Sequence, residues 1–262
     1  ESRPDAVMQI SSLAIRSGNG VILKGGSEAN FTNIAISSAL QEGLNKAGLD
    51  DNAICLLTSR EESMAMLNLE KFINLGFPNK REENWKFSDL NQIISSNIKD
   101  LKFFNKELFN KKNKILIPKN IFSSKLFEHN KIVVANGFVD IIDFKHEDLN
   151  KIKIINTAEN LHSNTKHSLA YLNSAFSTNY LKIVIKKNYS LNKPEILYNI
   201  INEKITSTNI NQRLDIVLEE NSTLNLINFF ADSSRNNFIN IYHDFKVKKN
   251  SVLKNYKIDN RE

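Results

Sequence analysis

The apolar positions change period twice along the chain. In VMQISSLAIRSG, Val7, Ile10, Leu13 and Ala14 recur at helical spacing and Gly18 stands just past the end, which predicts a helix closed by a glycine cap. GVILKG is a short continuous apolar run and predicts a strand of a parallel sheet, buried on both faces. SEANFTNIAISSALQEGLNKAG returns to helical spacing with Ser27 as N-cap, and AICLLT reads as a second buried strand. From about Tyr180 onward period two takes over. Leu214, Ile216 and Leu218 alternate with polar residues, as do Leu224 and Leu226, and Ile239, Ile241, His243, Phe245 and Val247. ENSTLNL at 220–226 is echoed by KNSVLKN at 249–255, each with an Asn-Ser turn signal ahead of a strand, which suggests stacked coils or a layered sheet.

Composition adds a seam. Six of the eight glycines lie between Gly18 and Gly48, and alanine thins out after Ala65. The chain then turns to Asn, Lys, Ile and Phe with no Pro, Gly or Ser-rich linker, so the seam runs through a helix-like segment near residue 70. The 41% apolar and 24% charged fractions suit a packed core in a chain of 262 residues. No apolar run approaches the roughly 18 residues of a membrane span, so the reading is of a soluble, cytoplasmic protein. The opening Glu1-Ser2-Arg3-Pro4 carries no signal-peptide pattern and reads as a cut end.

The net charge of +6 would permit nucleic-acid contact. Lys and Asn are scattered over 99–260 instead of gathered on one periodic face, so no nucleic-acid partner is expected. The Lys, Asn and Ile bias has a plainer source in AT-rich coding DNA.

Candidate chemistry is sparse. Lys24 ends the first strand and Gly25-Gly26 turns into the following helix. Glycines there let a ligand approach the backbone, and the helix N-terminus favours an anion, so the turn suits a phosphate or ribose edge. It matches neither G-x-G-x-x-G nor a P-loop. Cys55 is the single cysteine, which excludes an internal disulfide or a four-thiolate metal site. Inside AICLLT it reads as a buried, inert thiol. His129, His146, His162, His167 and His243 form no i, i+4 ligand face, and His243 reads as packed within its strand. Adjacent pairs such as Glu82-Glu83 and Glu219-Glu220 point to different sides of their elements and read as solvated charges.

ESRPDAVMQISSLAIRSGNGVILKGGSEA, followed by AICLLTSREE, strongly resembles gamma-glutamyl phosphate reductase (glutamate-5-semialdehyde dehydrogenase, the ProA family) over about residues 1–70. The resemblance implies part of an NADP-binding, Rossmann-like domain of aldehyde-dehydrogenase type. It assigns Lys24, with Gly25 and Gly26, to the cofactor ribose and puts the thiol nucleophile well downstream.

GFPNKREENWKFSDL at 76–90 reads on its own as a helix that anchors Trp85 and Phe87 in a core, with Lys80, Arg81, Glu82 and Glu83 in solvent. It also resembles the N-terminal signature of SufD, of the SUF iron-sulfur cluster assembly system. KIVVANGFV at 131–139, with the Asn-Gly of a two-residue hairpin, resembles that family too. So do HSLAYLNSAFSTNYLKIVIKKN and NKPEILYNI, which carries the likeness from about residue 72 to the end.

The resemblance implies a helical region over 71–175 and early coils of a truncated right-handed β-helix over 176–262. It implies SufB and SufC as partners, a cluster held transiently through them, and no catalytic residue in this chain. Together the expectation is a composite: a partial α/β segment over 1–70, then a mainly β body, acting as a non-catalytic scaffold. The alternatives are an incomplete NADPH-dependent reductase of proline biosynthesis and a joined chain with no function of its own. A slice of parallel sheet with two strands should leave one face uncovered and apolar.

Overall fold

A computed structural model describes residues 3–103, 127–157, 166–177, 180–201, 205–232 and 236–261. The protein is mixed α/β and divides into two compact units, Glu1–Leu67 and Asn68–Glu262. The division falls inside a helix, Arg60–Leu75.

In the first unit, α1 (Pro4–Arg16) leads to β1 (Val21–Lys24), α2 (Asn30–Lys46) and β2 (Ile54–Leu57), and α3 (Arg60–Leu75) begins there. β1 and β2 pair in parallel, Val21 opposite Ile54 and Lys24 opposite Leu57. Val21, Leu23, Ile54 and Leu56 therefore share one face, and they pack with Val7, Ile15, Leu40 and Leu44 of the helices. Gln41 ties α2 to the sheet by donating its amide to Ile54 O at 2.8 Å.

The other face carries Ile22 and Cys55, both exposed. Cys55 is thus not the buried thiol expected from its apolar run: with two strands only, one face of the sheet meets helices and the other does not. The expected uncovered apolar face is present, with Ile22 half exposed.

α1 also buries a different stripe from the expected one. Val7 and Ser11 are buried and Ile15 packs on the core, at i, i+4, i+8, whereas Ile10 and Leu13 are exposed. Ser27 does not cap α2: it opens a 3-10 turn, Ser27–Ala29, that makes no side-chain capping bond at its start, and α2 follows from Asn30.

The second unit begins with the end of α3, a 3-10 turn Glu83–Trp85, and α4 (Leu90–Asn97), capped by Asp89 accepting from Gln92 N at 3.1 Å. Trp85 packs on Leu90 and Ile94. Phe87 is 88% exposed, beneath the Lys86 ammonium, because the segment is a turn and not the helix that would have brought it inward.

β3 (Asn130–Ala135) and β4 (Phe138–Asp143) form the antiparallel hairpin read from the sequence, turning through Asn136 and Gly137 at φ 52° and 86°. β5 (Ile152–Thr157), α5 (Ser168–Phe176) and β6 (Tyr180–Ile185) follow. Within the 71–175 span, expected to be helical, β3, β4 and β5 are strands, and residues 104–126 and 158–165 lie outside the described residues.

Five long strands complete the unit: β7 (Glu195–Ile201), β8 (Asn209–Leu218), β9 (Thr223–Asp232), β10 (Phe238–Val247) and β11 (Val252–Arg261). They go alternately to two sheets. One sheet has the order β10-β8-β6-β5, the other β11-β9-β7-β3-β4, and all pairings among β6 to β11 are parallel.

Asn209 lies opposite Phe238 and Thr223 opposite Val252, an offset of 29 residues in both sheets. The inward positions, including Leu181, Ile183, Leu197, Leu214, Ile216, Leu218, Leu224 and Leu226, form one dry core between the sheets. Outside it, Arg213 is buried between the rings of Tyr180 and Tyr242 and pairs with Asp215, which accepts the Tyr180 hydroxyl at 2.7 Å. That acceptor and burial push the Tyr180 phenol well up from its ordinary value.

The two echoed Asn-Ser turns stack. Asn188, Asn221 and Asn250 all sit in the left-handed region, at φ 59°, 56° and 57°. Asn250 donates its amide to Asn221 Oδ1 at 3.2 Å and Asn221 to Asn188 Oδ1 at 2.7 Å. Each side chain thus satisfies the next, so the turn repeats once per circuit of the chain.

Candidate functional site

Lys24, Gly25 and Gly26 come together at the carboxyl end of β1, the edge where open parallel sheets take ligands. The Lys24 ammonium donates to Gly25 O at 3.3 Å and remains exposed. A Cβ on Gly25 would stand 2.0 Å from Asn33 Nδ2, so α2 packs directly on this turn and only glycine fits. A Cβ on Gly26 would meet the Glu28 carboxylate at 2.5 Å. The Glu28 carboxylate thus lies against Gly26, beside the Ser27 hydroxyl.

A second carboxylate approaches from the end of β2. Glu62 Oε2 accepts from Thr58 N at 2.6 Å, Thr58 Oγ1 at 3.1 Å and Ser59 N at 3.1 Å, and Ser59 Oγ in turn accepts from Glu62 N at 3.0 Å. This reciprocal capping box closes the start of α3. The Thr58 amide, above all, holds the Glu62 carboxyl below its usual value, and Lys24 acts in the same direction.

The arrangement has a chemical consequence. The Thr58 and Ser59 N–H groups just ahead of α3 are taken by the Glu62 carboxylate and Glu62 N by Ser59 Oγ, so a negative charge already stands at this helix start and disfavours a phosphate. Lys24 acts electrostatically on Glu62, so an exposed ammonium and a carboxylate together offer a donor and an acceptor at this end of the sheet. Glu28 and Glu62 were not singled out in the sequence, although S-R-E-E after a strand is a capping-box signature that could have flagged the latter.

The histidines do not assemble. His129 Nε2 lies 3.0 Å from the Tyr198 hydroxyl, and burial lowers its pKa. His167 caps α5, accepting from Leu169 N at 3.3 Å. His162 lies outside the described residues. Among the described residues no cluster of three or more His, Cys, Asp or Glu is placed to hold a metal, and no helix is long and apolar enough to cross a membrane.

The first unit is thus an α/β segment with an exposed lysine and a tight glycine turn at the carboxyl end of β1. The chain is 76% identical over 94 residues, 36% of its length, to the gamma-glutamyl phosphate reductase of Prochlorococcus marinus strain AS9601. It is 75% identical over 94 residues to that of strain MIT 9515 and 56% to that of strain SARG. It spans 22% of the length of each of these curated relatives. No protein-family model matches the chain. The chain therefore carries a stretch homologous to gamma-glutamyl phosphate reductases, as the words around Lys24 suggest.

Proposed function

We propose that the first unit serves as the nucleotide-contacting part of an NADPH-dependent gamma-glutamyl phosphate reductase, with Lys24 and Glu28 taking the cofactor ribose beside the Gly25-Gly26 turn. The identity of 76% over 94 residues carries this reading. Bound there, the cofactor would supply hydride. The residues of this chain bind and orient it: Lys24 donates to a ribose hydroxyl, Glu28 accepts from one, and Gly25 keeps α2 close to the turn. Cys55 shares the open sheet face with Lys24 but is given no role, since the likeness to the reductases puts their nucleophile downstream of this segment.

Titration of the full chain with NADPH, followed by the nicotinamide fluorescence, should show saturable binding. Lys24→Ala should weaken it at least tenfold, about 1.4 kcal/mol. Equal affinity in the two proteins would sink the assignment.

A second reading concerns the other unit. Alternation of parallel strands between two sheets at a 29-residue offset, with a stacked asparagine at each circuit, supports the early coils of a SufD-like β-helix. On that reading the unit is a non-catalytic scaffold that pairs with SufB and recruits the SufC ATPase, clusters being handled through those partners. Co-purification of the chain with SufB at a defined stoichiometry is the expected result, and two proteins eluting independently at micromolar concentration overturn it.

A further inference from the structure

The space between the two sheets of the second unit is dry at one end and polar at the other. Beyond the leucine and isoleucine core lies a cavity of about 330 Å³, open to solvent on one side, lined by Asn228, His243, Asn255, Phe230 and Ile241 with Lys257 at its mouth. It shares Phe230, Ile239 and Ile241 with a narrower pocket that reaches Asn199. All of these are inward positions of strands where the alternation would call for aliphatic side chains.

Several polar atoms here are buried with no partner among the described residues: both amide atoms of Asn199, Asn228 Oδ1 and His243 Nε2. Asn199 and Asn228 are each only 4% exposed. An unsatisfied buried polar atom costs roughly 1–3 kcal/mol. Two of the four, Asn228 Oδ1 and His243 Nε2, belong to residues that line the larger cavity, and the two of Asn199 to the narrower pocket beside it, so the larger cavity itself calls for a hydrogen-bonding occupant. Asn228 is held in place, since its Nδ2 donates to Asn255 Oδ1 at 2.6 Å.

The lining also restricts charge. Lys257 is the one ionised side chain, and it is already used: it pairs with Asp259 at 3.5 Å and lies 4.9 Å over the Phe230 ring. Burial drives the His243 pKa down to about 4, so the imidazole is neutral near pH 7 and offers one donor and one acceptor. An anion would enter without a free counter-charge, and a cation would meet the Lys257 ammonium. An apolar molecule would leave the amides unsatisfied. What remains is a neutral compound whose groups donate and accept at once, with a carbon face for Phe230 and Ile241.

We propose that this cavity binds a small uncharged polyhydroxy molecule, of about monosaccharide size, through Asn228 and His243. The volume sits at the small end of ligand pockets, roughly 300–1,000 Å³. The site lies wholly within the second unit, so it stands or falls separately from the Lys24–Gly26 turn.

Saturation-transfer NMR on the full chain tests it, with D-glucose and myo-inositol as probes and glucose 6-phosphate and glucosamine as charged controls. At least one neutral probe should bind saturably and tenfold or more tighter than either charged one. His243→Phe and Asn228→Leu should each weaken it tenfold or more, while His243→Gln, which keeps a donor and an acceptor, should stay within threefold. Should Asn228→Leu not fold, the contrast between His243→Phe and His243→Gln, both checked for native circular dichroism, decides alone. Absence of saturable binding by both neutral probes overturns the proposal. So does equal binding of a charged control, or equal affinity in His243→Phe and His243→Gln.

Discussion

Both units are built on parallel strands, yet only one of them closes its sheet. In the first, β1 and β2 pair over four residues each and meet helices on a single face, so Ile54 is 1% exposed while its neighbour Cys55 and the facing Ile22 lie open. In the second, each strand is answered by a strand of the opposite sheet, and Leu214, Ile216 and Leu218 are all nearly inaccessible. The same kind of apolar run therefore has opposite consequences. Burial of a parallel strand depends on what the rest of the chain stacks against it, and high identity to a folded relative does not supply the missing layer.

The sharpest way to break that comparison is a pair of matched truncations. Leu214→Ala removes a side chain 1% exposed in the dry core and should cost about 3–4 kcal/mol. Ile22→Ala, on the open face, should stay within about 0.5 kcal/mol. Urea unfolding of the two variants checks this. A loss above about 2 kcal/mol for Ile22→Ala would mean that its face is covered in solution.

Proton linkage probes the polar end of the same interior. The folded pKa of His243, about 4, lies below the ordinary 6.5 because burial penalises the cation. Between those values the unfolded chain takes up a proton that the folded chain refuses. Stability therefore falls as pH is lowered from 6.5 towards 4 and levels off below, by about 3 kcal/mol at most. His129 is lowered by burial as well and acts in the same sense. Glu195 acts oppositely: its fully buried carboxyl is pushed well up, so it is neutral when folded and loses stability as pH rises above 4.5. Comparing wild type with His243→Phe isolates the one residue. Identical urea midpoints at pH 4.5 and 6.5, relative to the variant, would contradict its burial as a neutral ring.

At the Lys24–Gly26 turn the effect should be smaller and local. Gly25→Ala would set a methyl 2.0 Å from Asn33 Nδ2, forcing that buried side chain to move, at a cost of about 1–3 kcal/mol. Paired with Gly43→Ala, which meets nothing within 4 Å in the last turn of α2 and should stabilise by up to about 1 kcal/mol, it separates close approach from helix propensity.

The sequence disclosed strand periodicity, the Asn136-Gly137 hairpin and the Lys24 turn because each is local: two or three residues set the backbone there. It misled where a face had to be chosen. α1 is apolar most of the way round, so Val7, Ile10 and Leu13 looked like one stripe, and only the position of α2 and the sheet selected Val7, Ser11 and Ile15 instead. Asn221 and Asn250 stood out as turn signals, but the asparagines within the strands read as compositional drift, since their role depends on neighbours far along the chain. Asn211 with Asn240, and Asn221 with Asn250, are 29 residues apart and hydrogen-bonded. That spacing was the signal for the repeating strand-turn unit, and the polar cavity beside Asn228 and His243 had none.

Asn221 offers the finest test of what those repeated turns contribute. Its side chain both donates to Asn188 and accepts from Asn250, and its backbone sits at φ 56°. Asn221→Ala removes the ladder rung and puts a Cβ without a compensating amide in the left-handed region, for a combined loss of about 1–2 kcal/mol. Asn221→Gly removes the same rung but tolerates that φ, so it should recover roughly half of the loss. Equal midpoints for the two variants would assign the whole effect to the side-chain ladder. A glycine variant as stable as wild type would assign it to the backbone, and would mean that the stacked amides follow from the turn geometry without reinforcing it.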